Sequence, residues 1–200
     1  FSQNLFSYGV PVVVIDIIQA ALDAGSKKAE SKLAKAAEKG IYKKEEADAI
    51  FKNMLFTTDY GKIADADFIV EAALESTDVK HKIFDKCQEI CQKGAIFASN
   101  SSHMEPEEIF QKMKNKKRCV VTHYFFPAER NLWVEIVPGK DTEPALVEYL
   151  MKLYEMLGKA PTLVKGRYGY AGSTVFEGLL LAAAGARIGS GVAVGDAAVG

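Results

Sequence analysis

Residues 10–16 read Val-Pro-Val-Val-Val-Ile-Asp, a short β-branched run that ends in an acid. A run of this kind predicts a strand that is buried on both faces, as the strands of parallel sheets are. Strong helix formers follow from about Gln19 to Gly40, and the glycine favours the end of a helix at that point. The stretch therefore predicts a strand followed by a helix, the unit from which α/β folds are built.

The same alternation continues along the chain to about residue 165. Further strands are predicted at 55–58, 67–74, 95–99, 119–125, 133–137 and 161–165, and further helices at 43–54, 78–92, 107–113 and 143–157. This order predicts an open, mostly parallel α/β sheet with helices on both faces. We also expect a helix at 1–7, and a hydrophobic helix at about 173–186 that breaks the alternation.

The composition is that of a globular protein, with 48% hydrophobic and 26% charged residues and a net charge of −1. This balance indicates neither a nucleic-acid partner nor an anionic membrane surface. No apolar run reaches the roughly 18 residues of a membrane span, and no signal peptide is visible. Three cysteines, an odd number, favour a reducing compartment, and we expect a cytoplasmic protein.

Polar residues follow several of the predicted strands, and open α/β sheets bind their ligands at those strand ends. Asp16 ends the first strand, where an acid can accept hydrogen bonds from the ribose hydroxyls of a dinucleotide. The alternative for Asp16 is a helix cap or a solvated strand end. The Ser99–Ser102 segment, Ser-Asn-Ser-Ser, either reaches a ligand or caps the next helix.

His123 and Glu135 are the residues whose types and positions best indicate chemistry. His123 belongs to one predicted strand, and Glu135 lies in the middle of the next. A carboxylate in a buried strand is costly unless it is paired, and the histidine is a suitable partner. Such a carboxylate would orient the imidazole and stabilise its charged form, so that the other ring nitrogen could accept a proton. A structural ion pair is the alternative.

Charged residues at two further places have both a ligand-binding and a structural interpretation. Glu75 and Lys80 follow the strand at 67–74, where the lysine either balances the charge of a cofactor or belongs to a solvated helix start. The first helix carries lysines that form either a solvated face or a surface for an anionic substrate such as coenzyme A: Lys27, Lys28, Lys32, Lys35 and Lys39. No Cys/His set lies at metal-site spacing, so we expect no metal site.

Two motifs give the chain a family resemblance. His-Tyr-Phe-Phe-Pro at 123–127 and Trp-Val-Glu-Ile-Val at 133–137 resemble the H-F-F-N-P and L-V-E-V motifs of the 3-hydroxyacyl-CoA dehydrogenases. The resemblance runs from Val12 to about Lys165, and the spacing of twelve between His123 and Glu135 is the one that the family shows.

The resemblance implies a role for each matching residue. It implies that His123 and Glu135 are the catalytic pair, and that Ser102 contacts both the substrate and the nicotinamide. Segments that match the family's cofactor contacts carry Asp16, Ala72, Glu75 and Lys80. The cofactor implied is NAD, and an acid at position 16 disfavours the 2′-phosphate of NADP.

Two residues depart from the family pattern. Phe126 replaces the asparagine of H-F-F-N-P, which helps to hold the nicotinamide, and phenylalanine cannot make that hydrogen bond. Ser173 replaces an asparagine that would bind the substrate oxygen. These changes indicate a divergent branch with an unusual acyl group, or a weakened site.

The resemblance also implies the domain organisation and the activity. We expect residues 1–166 to form a Rossmann-type, doubly wound NAD-binding domain whose first strand and Gly-rich loop precede this sequence. Residues 167–200 would begin an all-helical domain for substrate binding and homodimerisation. The implied reaction is oxidation of an (S)-3-hydroxyacyl-CoA, with Ser102 and Ser173 at the substrate. Among the lysines of the first helix, we expect Lys32 and Lys39 to contact the coenzyme A part of the substrate. The alternatives are a non-catalytic, crystallin-like protein and a dehydrogenase of a free 3-hydroxy acid.

Overall fold

The computed structural model describes residues 10–128, 130–166, 170–172 and 174–175. The predicted helix at 1–7, most of that at 173–186, and Ser173 lie outside the described residues. The strands are β1 Val12–Ile15, β2 Met54–Thr57, β3 Phe68–Glu71, β4 Ile96–Ser99, β5 Cys119–Tyr124, β6 Trp133–Pro138 and β7 Ala160–Leu163. The α-helices are α1 Gln19–Glu38, α2 Lys44–Lys52, α3 Thr77–Ile90, α4 Pro106–Ile109 and α5 Pro144–Met156, and 3₁₀ turns lie at Tyr60–Ile63 and Lys116–Arg118.

The strands form two hydrogen-bonded groups, which confirm the predicted, mostly parallel arrangement. β1 pairs with β2 in parallel, and β3, β4, β5, β6 and β7 are neighbours in that order. Within the larger group the β5–β6 pair is antiparallel, and the other pairs are parallel. The connection between Tyr124 and Trp133 is too short for the crossover that a parallel pair needs, which explains the antiparallel pair.

Helices cover both faces of the larger sheet, as predicted. Val121 of β5 points into a cluster with Phe84 of α3 and Ile109 of α4. The preceding residue, Val120, points into a second cluster with Leu150 of α5. Successive side chains of a strand point to opposite faces, so one strand supplies both clusters. The β-branched runs of the sequence are therefore buried on two sides.

Within the described residues, side chains of the smaller sheet pack against the core of the larger sheet. Val13 and Ile15 of β1 pack against the same core cluster as Ile69 of β3. β1 and β3 are, however, not hydrogen-bonded neighbours in the part of the chain that the structure describes. The expectation of a first strand that precedes this sequence remains a prediction.

α1 ends before the glycine predicted for it, α5 ends in the same way, and one helix is shorter than expected. Gly40 and Gly158 follow α1 and α5 with φ of 69° and 70°, the left-handed region that favours glycine at a helix end. The helix expected at 107–113 is one turn, Pro106–Ile109. After Phe110 the sequence is polar except for Met113, so it offers no apolar face to stabilise further turns.

Candidate active site

The antiparallel pairing of β5 with β6 places His123 directly opposite Glu135. Residues paired in this way share one face of the sheet, so their side chains meet. His123 Nδ1 lies 2.7 Å from Glu135 Oε2, and the two residues are 5% and 0% exposed. The structure thus brings together the two residues that the sequence singles out, in a hydrogen bond that is shielded from water.

Glu135 has a second set of donors. The backbone N–H groups of Ala171 and Gly172 donate to Glu135 Oε1 at 3.0 and 2.8 Å. Burial raises the pKa of Glu135, but the hydrogen bond with His123 and the two amides outweigh it and hold the pKa below its ordinary value of 4.5. Glu135 is therefore held as a carboxylate beside the imidazole.

This lowered pKa predicts an acid dependence of stability. A carboxyl whose pKa is lower in the folded state stabilises the fold above its unfolded pKa, and this contribution disappears as the pH falls through the folded pKa. We expect the difference in unfolding free energy between the wild type and Glu135→Gln to shrink as the pH falls from about 5 to about 3. Urea denaturation at a series of pH values measures it. Glu148→Gln, on the exposed side of α5, is the matched control, and a difference that is constant with pH would contradict the assignment.

The serine segment lies beside this pair because β4 and β5 are neighbouring parallel strands. Asn100 Oδ1 accepts a hydrogen bond from Tyr124 N at 2.9 Å, which ties the segment to the residue after His123. Glu75 Oε1 accepts from Ser101 Oγ at 2.9 Å and from Ser102 N at 2.6 Å. The structure thus assembles three of the predicted residues, Ser102, Glu75 and His123, at the carboxyl ends of adjacent strands.

A buried ion cluster supports the serine segment. Lys80 Nζ lies 3.0 Å from Glu71 Oε2 and 3.3 Å from Glu75 Oε2, and Lys80 is 1% exposed. Ser99 Oγ donates to Glu71 Oε2 at 2.6 Å, and Ala73 N donates to Glu71 Oε1 at 2.6 Å. The carboxylates that neutralise Lys80 therefore come from the protein itself. Its ammonium is directed into the cluster rather than towards solvent.

Glu71 and the amides of Ala171 and Gly172 belong to the site, although no individual role is predicted for them from the sequence. Glu71 had a usable signal, because it is a carboxylate in a predicted buried strand, the same argument that selected Glu135. The two amides had none, since any residue carries a backbone N–H group. Residue 173, the predicted substrate ligand, lies outside the described residues.

The remaining predicted residues lie in three other places. Asp16 follows β1, and its Oδ1 accepts a hydrogen bond from Ile18 N at 2.9 Å. Ala72 directly follows β3. Lys32 and Lys39 belong to the α1 region, which packs against α2 and β2, whereas the His–Glu pair lies on β5 and β6. The structure does not bring these lysines to the pair.

Phe126 is the residue that departs from the family motif. It lies in the loop after β5 and is 94% exposed. Its neighbour Phe125 contacts His123, with ring centroids 4.6 Å apart, and stacks on Trp133 at 4.5 Å. Aromatic rings therefore form one wall beside the imidazole.

Within the described ranges, no group of three His, Cys, Asp or Glu residues is placed to hold a metal ion. None of the helices described is long and apolar enough to cross a membrane.

The fold and the site define a class of protein. An open, mostly parallel α/β sheet with polar groups at the carboxyl ends of its strands is the architecture of nucleotide-binding α/β proteins. The family can then be stated. The chain belongs to the 3-hydroxyacyl-CoA dehydrogenase family, because the model described as "3-hydroxyacyl-CoA dehydrogenase, NAD binding domain" matches residues 1–167.

The chain is also similar in sequence to individual proteins of fatty acid oxidation. The chain is 32% identical over 166 residues to a fatty acid oxidation complex subunit alpha of Idiomarina loihiensis, covering 81% of this chain and 23% of the relative. It is 29% identical over 170 residues to a peroxisomal fatty acid beta-oxidation multifunctional protein of Arabidopsis thaliana, covering 84% of this chain and 23% of the relative. The chain thus spans about a quarter of the length of these curated relatives.

A solved structure shows the same fold. The (S)-3-hydroxybutyryl-CoA dehydrogenase of Ralstonia eutropha is 26% identical and superposes with a TM-score of 0.88. The match covers 96% of this chain and 68% of that one. This likeness confirms the Rossmann-type fold class.

Proposed function

We propose that the protein is an NAD-dependent oxidoreductase that converts an (S)-3-hydroxyacyl-CoA to the 3-ketoacyl-CoA. The observation that supports this most is the buried hydrogen bond of 2.7 Å between His123 and Glu135, beside the Ser102 segment. A neutral histidine oriented by a buried carboxylate is a general base suited to the removal of a hydroxyl proton. The named activities of the relatives supply the substrate class.

The residues at the strand ends suit a bound dinucleotide. Asp16 is a carboxylate at the end of β1, where ribose hydroxyls can donate to its oxygens. Glu75 is partly exposed and orients the Ser102 backbone, and Ala72 offers a small side chain near the same edge. Lys80 acts on the site indirectly, because its ammonium lies 3.3 Å from Glu75 Oε2 and helps to hold that carboxylate in place. NAD, when bound, supplies the acceptor for the hydride that leaves the carbon bearing the hydroxyl.

The chain's own groups provide the acid–base chemistry. Because Nδ1 of His123 is held by Glu135, Nε2 is the nitrogen left to accept the substrate hydroxyl proton. Glu135 stabilises the imidazolium that forms. The Ser102 hydroxyl orients the substrate oxygen towards His123. In the reverse reaction the imidazolium returns its proton to the oxygen of the ketone.

The proposal extends to substrate and assembly. Ser173 would contact the substrate oxygen, and Lys32 and Lys39 would meet the phosphates of coenzyme A. Homodimerisation would run through a helical domain that begins near residue 167, and the enzyme would work in the cytoplasm, or in the mitochondrial matrix of a eukaryote. The resemblance to the family supports the Ser173 contact and the helical domain. The lysine content of α1 supports the coenzyme A contact, and the odd number of cysteines supports a reducing compartment.

A comparison of thioester with free acid tests the substrate class. NADH consumption by the full-length protein is followed with acetoacetyl-CoA and with acetoacetate at equal concentration. We expect turnover with the thioester and at least about tenfold less with the free acid, because the CoA moiety contributes binding energy to the transition state. Equal turnover would favour the dehydrogenase of a free 3-hydroxy acid.

Asp16 should determine the choice of cofactor. We expect Asp16→Ala to weaken NAD binding by about tenfold or more, since a hydrogen bond to a charged group contributes about 1.5–3 kcal/mol. The same variant should discriminate less against NADP. Calorimetric titration with both cofactors measures the two affinities. Asp23→Ala, on the exposed side of α1, is the matched control, and unchanged NAD affinity in Asp16→Ala would refute the role.

A further inference from the structure

The Tyr170–Gly172 turn holds the oxygen of Glu135 that does not face His123. Glu135 is fully buried, and its Oε1 accepts from Ala171 N at 3.0 Å and from Gly172 N at 2.8 Å. Its Oε2 meets His123 Nδ1 at 2.7 Å. Because both oxygens have donors on opposite sides, the plane of the carboxylate is fixed. The orientation of the imidazole is therefore coupled to a turn that is 36 residues further along the chain.

Tyr170 ties the same turn to the serine segment. It is fully buried with φ 44°, an unusual backbone conformation for a residue other than glycine. Its hydroxyl donates to the Met104 carbonyl at 2.5 Å, and Met104 N donates to Ser101 Oγ at 3.0 Å. A left-handed conformation is unfavourable for a tyrosine, and the buried hydrogen bond and the packing of the ring offset this. The turn thus contacts both halves of the candidate site.

Gly172 is needed for this close approach. A Cβ added there would lie 2.7 Å from Phe125 Cε1, nearer still to Phe125 Cζ, and 3.2 Å from Trp133 Cζ3. Phe125 cannot easily retreat, because it stacks on Trp133 at 4.5 Å and contacts His123 at 4.6 Å between ring centroids. Any larger residue must therefore displace either the ring beside His123 or the amide on Glu135.

We propose that the Tyr170–Gly172 turn is a positioning element for the acid–base pair, and that Gly172 is its critical residue. The turn fixes the carboxylate of Glu135 from behind and fixes the serine segment through Tyr170. This inference rests on the proposed function for its catalytic consequence. The geometric part, the dependence of the two amide hydrogen bonds on a glycine at 172, stands by itself.

The kinetic test is Gly172→Ala in the full-length enzyme. We expect kcat with acetoacetyl-CoA to fall by about tenfold to a hundredfold, because displacements of about 1 Å have effects of this size. The KM for NADH should stay within about threefold, since the cofactor residues are untouched. Gly94→Ala, at a glycine with open space around it, is the matched control.

A compensating variant separates positioning from a general packing defect. Phe125→Leu removes the two ring atoms that collide with the new Cβ. In that background Gly172→Ala should lower kcat by less than about threefold relative to Phe125→Leu alone. The same large loss in both backgrounds, or no loss in Gly172→Ala, would overturn the proposal.

Hydrogen exchange provides a measurement that does not need activity. The amides of Ala171 and Gly172 should be protected in the wild type and should exchange at least about tenfold faster in Gly172→Ala. Unchanged protection would refute the coupling. A wild type that turns over no thioester but shows this change would contradict the proposed function and leave the coupling intact.

Discussion

Replacing His123 by alanine is expected to lower kcat by about 10²–10⁴-fold, the usual contribution of a general acid–base group. The imidazole lies 2.7 Å from a fully buried carboxylate, so its orientation is set before substrate binds. Cofactor affinity should remain within about threefold, because a residue that acts on the reacting atoms contributes to the transition state rather than to binding. NADH consumption with acetoacetyl-CoA and titration with NADH measure the two quantities.

His103→Ala is the matched control for this prediction. His103 follows the Ser99–Ser102 segment directly and is a histidine near the site without a predicted catalytic role. Its removal should leave kcat within about threefold. If His123→Ala retained near wild-type turnover, or if both variants lost activity equally, the assignment of His123 as the proton acceptor would fail.

The second large effect concerns stability. Lys80→Met is expected to lower the free energy of unfolding by about 3–5 kcal/mol, the cost of removing one partner from a buried ion pair. Glu71 would keep a buried negative charge that Lys80 Nζ now meets at 3.0 Å, and Glu75 would lose a partner at 3.3 Å. Urea denaturation at neutral pH measures the loss.

Two variants sharpen this test. Lys82→Met, at an exposed position of the same helix, should change stability by less than about 0.5 kcal/mol. The double variant Lys80→Met/Glu71→Gln should lose less than Lys80→Met alone, because the uncompensated charge at position 71 is gone. A double variant that loses the sum of two independent effects would show that the cluster does not act as a unit.

The strands and most helices could be predicted from the sequence because their signals are local. The β-branched runs of β1 and β5 and the helix formers of α1 lie within single elements, so periodicity and composition suffice. The His123–Glu135 pair was also accessible, since an acid in a buried strand demands a partner. The one-turn α4 shows the limit, because the length of a helix depends on what it packs against.

The rest of the site depends on contacts between distant parts of the chain. No individual role is predicted for Glu71, although it offers the same signal as Glu135, an acid in an apolar strand. The hydrogen bonds of the Tyr170–Gly172 turn could not be predicted, because backbone donors carry no residue-specific signature.

For the lysines of α1 a sequence signal is present, but it does not distinguish between two interpretations. Their charge is compatible with either a solvated face or a surface for an anionic substrate, and the structure places them on a helix whose buried face is Leu22, Ala29 and Leu33. A solvated lysine face over a buried apolar stripe is the ordinary pattern of an amphipathic helix. Contact of Lys32 and Lys39 with coenzyme A therefore stays a prediction.

Transfer of label from the cofactor tests the central claim most directly. The full-length protein is incubated with acetoacetyl-CoA and NADH that carries deuterium at the transferable position, and the product is analysed by mass spectrometry. We expect the wild type to yield 3-hydroxybutyryl-CoA with one deuterium at C3. His123→Ala should form this labelled product much more slowly. Binding of NADH without labelled product from acetoacetyl-CoA or longer 3-ketoacyl-CoAs would contradict the account and favour a non-catalytic protein on the same fold.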